Sequence, residues 1–143
     1  MQLTRYTDFS LRLLMYLAAH PDGGTVERAS RAFRAPREHM RKVAKDLVNA
    51  GYVAATRGRG GGLRLARTPE SIKVGDVVRK TEPHLDLLEC FDASLDDCPI
   101  TPACRLKRVL ERARSAFLAV LDDTSLADLA AKPAAMLRLL DPT

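Results

Sequence analysis

Three cysteines carry the densest chemical signal in this 143-residue chain: Cys90, Cys98 and Cys104 fall within fifteen residues of an otherwise cysteine-free sequence. Seven and then five residues separate them. That spacing lacks the close Cys-x2-Cys pairs of zinc fingers and ribbons, and an odd count argues against a disulfide framework. Widely spaced thiolates in a loop suit convergence on a bulkier object, such as an iron–sulfur cluster. Three thiolates leave one coordination position for a non-cysteine or external ligand, which suits a reactive sensor better than a structural staple. Asp8, His84, Glu89, Asp92 and Asp97 are the candidate fourth ligands, and spacing does not rank them. The bland alternative is three free, partly buried thiols.

A second chemistry lies upstream. Residues 28–67 hold eleven Lys and Arg against only Glu38 and Asp46, a field that suits a polyanion, most commonly nucleic acid. Arg37, His39 and Arg41 stand near the start of a predicted helix, placed for base edges, while Lys42 and Lys45 suit phosphates. Downstream runs Arg57-Gly58-Arg59-Gly60-Gly61-Gly62. Its glycines let the backbone approach DNA closely and adopt positive φ, so Arg57 and Arg59, with Gly60 beside them, are candidates for insertion into a narrow minor groove. A nucleotide-cradling loop fits less well, because no Gly-Lys-Ser/Thr follows and the segment runs into a strand. A solvated basic face is the bland alternative.

The elements that must position these residues follow from periodicity. Thr4 or Thr7 caps a helix to about Ala19, with Tyr6, Phe9, Leu13, Leu14 and Leu17 at helical spacing. Thr25 caps a short second helix to about Arg34. Pro36 suits the first turn of a third, in which Met40, Val43, Ala44, Leu47 and Val48 form the apolar stripe and Gly51 is the stop. Residues 52–56 and 63–66 then read as two strands of a hairpin with the basic glycine-rich tip. A short strand over 72–74 and a helix over 76–81 follow, and residues 83–101 show no dependable period.

Thr101 and Pro102 predict the start of the longest helix, about 102–122, with Leu106, Val109, Leu110, Ala113, Phe117, Val120 and Leu121 along one face. Cys104 falls in its first turn, whose positive end suits an anionic ligand. So long an amphipathic helix in so small a protein calls for a large partner surface, most simply a second copy of itself. Two short helical segments, 125–131 and 134–140, flank Pro133.

Three helices followed by a basic hairpin is the order of a winged helix-turn-helix, whose third helix enters the major groove. The expected fold is therefore mainly α. Its divisions are a winged helix-turn-helix over 1–82, a cysteine loop over 83–101, a dimerisation helix over 102–122 and short helical segments over 123–143.

Composition agrees: 46% hydrophobic residues suffice for a core. The net charge of +5 divides into +9 over residues 1–80 and −4 over 81–143. Apolar stretches fall short of a membrane span and the first residues do not read as a signal peptide, so the expectation is a soluble, cytoplasmic protein. His20, His39 and His84 belong to no nucleophile–base motif, which argues against an enzyme. An iron–sulfur electron carrier is a rival from another class, but it leaves the wing and the positive half without a role.

Taken together, residues 6–12 (Tyr6-Thr7-Asp8-Phe9-Ser10-Leu11-Arg12), 58–66, Cys90-Phe91-Asp92, Cys98-Pro99-Ile100 and Ala103-Cys104-Arg105-Leu106 resemble the NsrR-type repressors, bacterial nitric-oxide-sensing iron–sulfur transcription factors related to IscR. The resemblance spans about residues 1–130. It implies a homodimer on a long helix and a cluster on Cys90, Cys98 and Cys104, expected as [4Fe-4S] with [2Fe-2S] as the alternative. Reaction with nitric oxide is then expected to release a palindromic duplex operator. It also implies that Asp8 completes the cluster of the other subunit, where the alternative is a carboxylate favoured by the helix dipole. IscR-type proteins carry His three residues after the third cysteine; here that residue is Lys107.

Overall fold

The computed structural model describes residues 2–58 and 62–140. Thr4 is extended and its hydroxyl accepts the Thr7 N–H at 3.3 Å, satisfying one of the free donors that begin helix α1, Arg5–Ala19. Helix α1 turns Phe9, Leu13, Leu14, Tyr16 and Leu17 inward, and Leu13 and Leu14 lose all solvent contact. Thr25 caps α2, Val26–Ala32, by accepting the Arg28 N–H at 3.2 Å. Helix α3, Arg37–Asn49, buries Met40, Val43, Ala44 and Leu47. Pro36 stands just before its first turn rather than within it, and no side chain caps that end.

Strands β1, Val53–Ala55, and β2, Leu63–Leu65, pair antiparallel with Val53 opposite Leu65. Gly24 and Leu63 exchange backbone hydrogen bonds of 2.9 and 2.7 Å, which tie this hairpin to the α1–α2 connection. The predicted strand over 72–74 is reduced to one bridge between Lys73 and Ser125, because helix α4, Val74–Thr81, already begins at Val74.

The long helix α5, Arg105–Asp123, also starts later than its sequence predicts. Thr101 and Pro102 form a separate single helical turn, Thr101–Ala103, and extended Cys104 is the N-cap of α5. Two short helices close the chain: α6, Leu126–Leu129, with Ser125 and Asp128 as a reciprocal capping box, and α7, Pro133–Leu140.

Helix α1 is the centre of the packing and touches α3, α4, α6, α7 and β2. The segment after α5 belongs to that same core. Leu126 is 1% exposed beside Ile72, its N–H donates to the Ile72 carbonyl at 2.8 Å, and the Val74 N–H donates to the Thr124 carbonyl at 3.0 Å. Arg79 on α4 grips Asp122 on α5 with two hydrogen bonds of 2.5 and 2.7 Å. A Cβ at Gly75 would overlap the Asp122 carboxylate, so glycine leaves the room in which Asp122 meets Arg79. The chain leaves the winged helix-turn-helix near Glu82, runs through the cysteine loop and α5, and returns at Thr124. Across that excursion no residue is fully buried.

Candidate nucleic-acid interface and cysteine site

The apolar stripe of α3 faces the core, so its basic side chains point outward: Arg37, His39, Arg41, Lys42 and Lys45 are all exposed. Several have intramolecular partners. Arg37 is ion-paired with Glu27 of α2, and Arg41 donates to Glu38 at 2.9 Å. The Lys42 ammonium lies 5.7 Å from the centre of the Tyr6 ring, and the His39 ring is tilted 6.3 Å from Phe9. These exposed contacts are weak enough to exchange for a phosphate or a base edge. Lys45 is exposed and has no ion pair among the described residues.

At the base of the wing the Thr56 N–H donates to the Gly62 carbonyl at 2.9 Å, and the Gly62 N–H donates to the Thr56 hydroxyl at 3.0 Å. Arg57 projects into solvent beside Gly58, whose φ of 102° is a conformation that favours glycine. The predicted contacts Arg59 and Gly60 lie outside the described residues.

The cysteines occupy the stretch that showed no period. Cys90 and Cys98 line one open cavity of about 960 Å³, together with His84, Glu89, Asp92, Asp96 and Asp97. Cys98 is exposed, while Cys90 and Cys104 are half-buried. Cys104 Sγ accepts the Lys107 N–H at 3.4 Å, which fixes this sulfur at the positive end of α5. Among the described residues no three His, Cys, Asp or Glu side chains stand together ready to hold a metal ion. The donor set nonetheless fits an iron–sulfur cluster, with two thiols on one cavity and the third presented by a helix N-terminus.

Of the candidate fourth ligands, Asp92 is engaged locally. Its Oδ1 accepts both the Ser94 hydroxyl at 2.7 Å and the Ser94 N–H at 2.8 Å, and these bonds hold the carboxyl below its usual range. His84, Glu89 and Asp97 are exposed. Asp8 lies in the first turn of α1 and accepts from Arg12 Nε at 2.8 Å. The Arg12 guanidinium lies 5.9 Å from the ring centres of both Phe9 and Phe33.

Sequence reasoning missed the residues that hold the loop. Asp96 Oδ1 accepts the Thr101 hydroxyl at 2.8 Å and the Cys98 N–H at 3.3 Å, while its Oδ2 lies 3.9 Å from Lys107 Nζ. Arg114 donates to Asp86 at 2.8 Å and stacks 4.6 Å from the centre of the Phe91 ring. The available signal was two cations seven residues apart on an amphipathic helix that follows an acidic loop.

The expected single apolar face of α5 divides in two. Leu110, Phe117 and Leu121 are half-buried, whereas Leu106, Val109, Ala113, Ala116 and Val120 are exposed at alternating spacings of three and four, with Leu106, Val109 and Val120 at 59%, 56% and 65% exposure. Among the described residues no helix is long and apolar enough to cross a membrane.

Comparison with known proteins agrees with this architecture. The model of the Rrf2 family, described as iron-dependent transcriptional regulators, matches residues 3–132. The chain is 45% identical over 142 residues to the HTH-type transcriptional regulator NsrR of Bacillus subtilis (strain 168), covering 98% of this chain and 97% of the relative. It is 43% identical to the regulator of the same name from Geobacillus kaustophilus, again over 98% and 97% of the two chains. Among solved structures, CymR, the global cysteine regulator of B. subtilis, superposes with a TM-score of 0.75 at 25% identity, covering 92% of this chain and 97% of that one. IscR of T. potens gives 0.74 at 25% identity, covering 92% of this chain and 87% of that one. With the family model spanning both the winged helix-turn-helix and the cysteine loop, the chain belongs to the Rrf2 family of DNA-binding transcriptional regulators, and its role is regulatory rather than enzymatic.

Proposed function

We propose that this chain is a cytoplasmic, homodimeric repressor that holds a palindromic operator through two winged helices and responds to nitric oxide through an iron–sulfur cluster on Cys90, Cys98 and Cys104. One observation carries the reading: Cys104 caps α5, so a cluster thiol and the helix with the unpartnered apolar seam are parts of one rigid element. The 3–4 spacing of Leu106, Val109, Ala113, Ala116 and Val120 suits a seam against a second copy of α5. When bound, the cluster supplies an iron with an exchangeable coordination position at which nitric oxide reacts. Everything else falls to the chain itself. Its thiolates hold or release the loop, α5 carries that change to the subunit contact and, through Arg79 and Asp122, to α4, and the recognition helices keep or lose a half-site spacing of about 34 Å. Moving the operator from nearly full to nearly empty requires binding weaker by about 10⁴-fold, or about 5.5 kcal/mol.

In this reading α3, with Arg37, His39, Arg41, Lys42 and Lys45, enters the major groove, and the wing residues Arg57, Arg59 and Gly60 follow the backbone or minor groove. Residues 1–82 form the DNA-binding division, 83–101 the cluster loop and 102–122 the dimerisation division. Residues 123–143 are the division of short helical segments, from which Leu126 packs beside Ile72 of the first. Asp8 of the other subunit would supply the remaining ligand of a [4Fe-4S] cluster, its carboxylate giving up the hydrogen bond from Arg12. The rival reading, an IscR-like regulator of cluster supply with [2Fe-2S], is disfavoured because Lys107 replaces the histidine and its ammonium faces Asp96.

The test is anaerobic purification with visible absorbance and iron and sulfide analysis, followed by nitric oxide titration while operator binding is recorded. Absorbance that bleaches in step with DNA release is the expected result, and Cys98→Ala should lose the cluster. A cluster-loaded protein whose operator affinity ignores nitric oxide removes the sensing role.

A further inference from the structure

Arg34 is the one non-glycine residue with positive φ among the described residues, at 51°. It stands in the turn between α2 and α3, where its N–H donates to the Arg31 carbonyl at 3.2 Å and the next residue, Ala35, donates to the Ser30 carbonyl at 2.9 Å. Glycine takes this left-handed conformation freely, whereas arginine takes it under strain. A strained side-chain-bearing position points to a task for the side chain itself.

The surroundings define that task. Arg34 is exposed, as are Arg28 and Arg31, which sit three residues apart on the same side of α2. None of the three has an ion-pair partner among the described residues, although their neighbours Arg37 and Arg41 are held by Glu27 and Glu38. Beside the paired cations at the start of the recognition helix, the basic half of the chain thus carries an unpaired row on the helix before it and the turn that joins them. In a helix-turn-helix the first helix of the motif crosses the DNA backbone. Cations free of internal partners can bind phosphate oxygens there without first breaking an ion pair.

We propose that Arg28, Arg31 and Arg34 form a phosphate-binding row that grips the duplex backbone independently of base sequence and sets the register of α3 in the groove. This rests on the DNA-binding reading above but assigns contacts outside α3 and the wing. The row supplies affinity, while α3 supplies discrimination.

The test uses the full chain and a fluorescein-labelled duplex of arbitrary sequence, with binding followed by anisotropy over a salt series. Each phosphate contact removed should lower the slope of log K against log salt by about 0.9, so Arg28→Gln, Arg31→Gln and Arg34→Gln together should lower it by nearly three such steps. Arg34→Lys should keep the slope. Arg34→Gly should lower it by one step without lowering Tm, because glycine relieves the backbone, an outcome that a merely structural arginine does not give. A triple variant with the wild-type slope overturns the row alone. A wild-type chain that binds no duplex even at low salt overturns the DNA-binding reading, and the row with it.

Discussion

Lys107 and Arg114 stand seven residues apart on α5 and grip opposite halves of the cysteine loop. Lys107 Nζ lies 3.9 Å from Asp96, whose other oxygen accepts the Cys98 N–H, and Arg114 holds Asp86 at 2.8 Å while stacking on Phe91, the residue after Cys90. Two helical turns separate the two grips, about 10.5 Å along the axis. The loop that carries the cysteines is therefore attached to the helix with the open seam at two points in addition to the peptide bond at Cys104.

Removing one grip should loosen the loop before it unfolds the protein. The Arg114 ion pair is about one-third exposed, so its electrostatic worth is modest, and the stacking on Phe91 adds to it. Arg114→Ala should cost about 1 kcal/mol of loop closure, read as roughly fivefold faster amide exchange over residues 86–92 in the metal-free chain. The exchange of α1 should stay unchanged. Lys107→Ala should act in the same way on residues 96–101. Wild-type exchange in both variants means that the loop is held by something else.

Glu82 closes the winged helix-turn-helix where the chain departs for the loop. Its Oε1 accepts the Thr4 N–H at 2.8 Å and the Thr4 hydroxyl at 3.0 Å, joining the last turn of α4 to the first turn of α1. Burial pushes its carboxyl up, but hydrogen bonding from Thr7 and Thr4, with a small contribution from the charge of His84, outweighs this and leaves it below the usual value. A depressed carboxylate contributes stability that is fully present above its unfolded pKa, ordinarily about 4.5, and is lost as pH falls through the lower folded value. Glu82→Gln should therefore cost about 1 kcal/mol near neutral pH and flatten the acid limb of stability against pH. Denaturant melts at several pH values check it, and an equally steep acid limb in the variant assigns that limb to other carboxylates.

The first three helices and the wing were legible because each rests on local signals: a threonine cap, an apolar stripe or a glycine at a turn. The start of α5 was misplaced because Thr101-Pro102 is a genuine helix-start signal that is spent on a separate turn, and the cap falls to a cysteine. The loop was illegible because its shape is set from outside by Lys107 and Arg114, and such pairings leave no period in sequence. Leu126 was equally hidden. A short apolar helix after a long one gives no sign that it returns to pair with Ile72, more than fifty residues earlier. Of the candidate site, residue types were readable from spacing, whereas their partners, Glu27 on Arg37 and Arg12 on Asp8, appeared only with the fold.

Tyr6 ties the start of α1 to the recognition helix. Its hydroxyl donates to Asp46 Oδ2 at 2.6 Å, a short charge-assisted bond, and Lys42 sits over its ring. Burial first, then the hydrogen bond to Asp46 and its negative charge, raise the phenol well above its usual value of 10.0. A raised folded pKa means that the stabilisation is complete below the unfolded value and is lost as pH rises through the folded one, so its loss belongs to the alkaline limb. Tyr6→Phe should cost about 1.5–3 kcal/mol in thermal or denaturant unfolding, because a partly buried carboxylate loses its donor. It should also weaken duplex binding without changing the salt slope, since α3 is tilted or loosened while every phosphate-binding cation remains. A variant that loses stability but binds DNA as tightly as the wild type shows that Tyr6 holds the fold without orienting α3. A fall in the salt slope instead shows that Lys42, released from the ring, was a phosphate contact that depended on Tyr6 for its position.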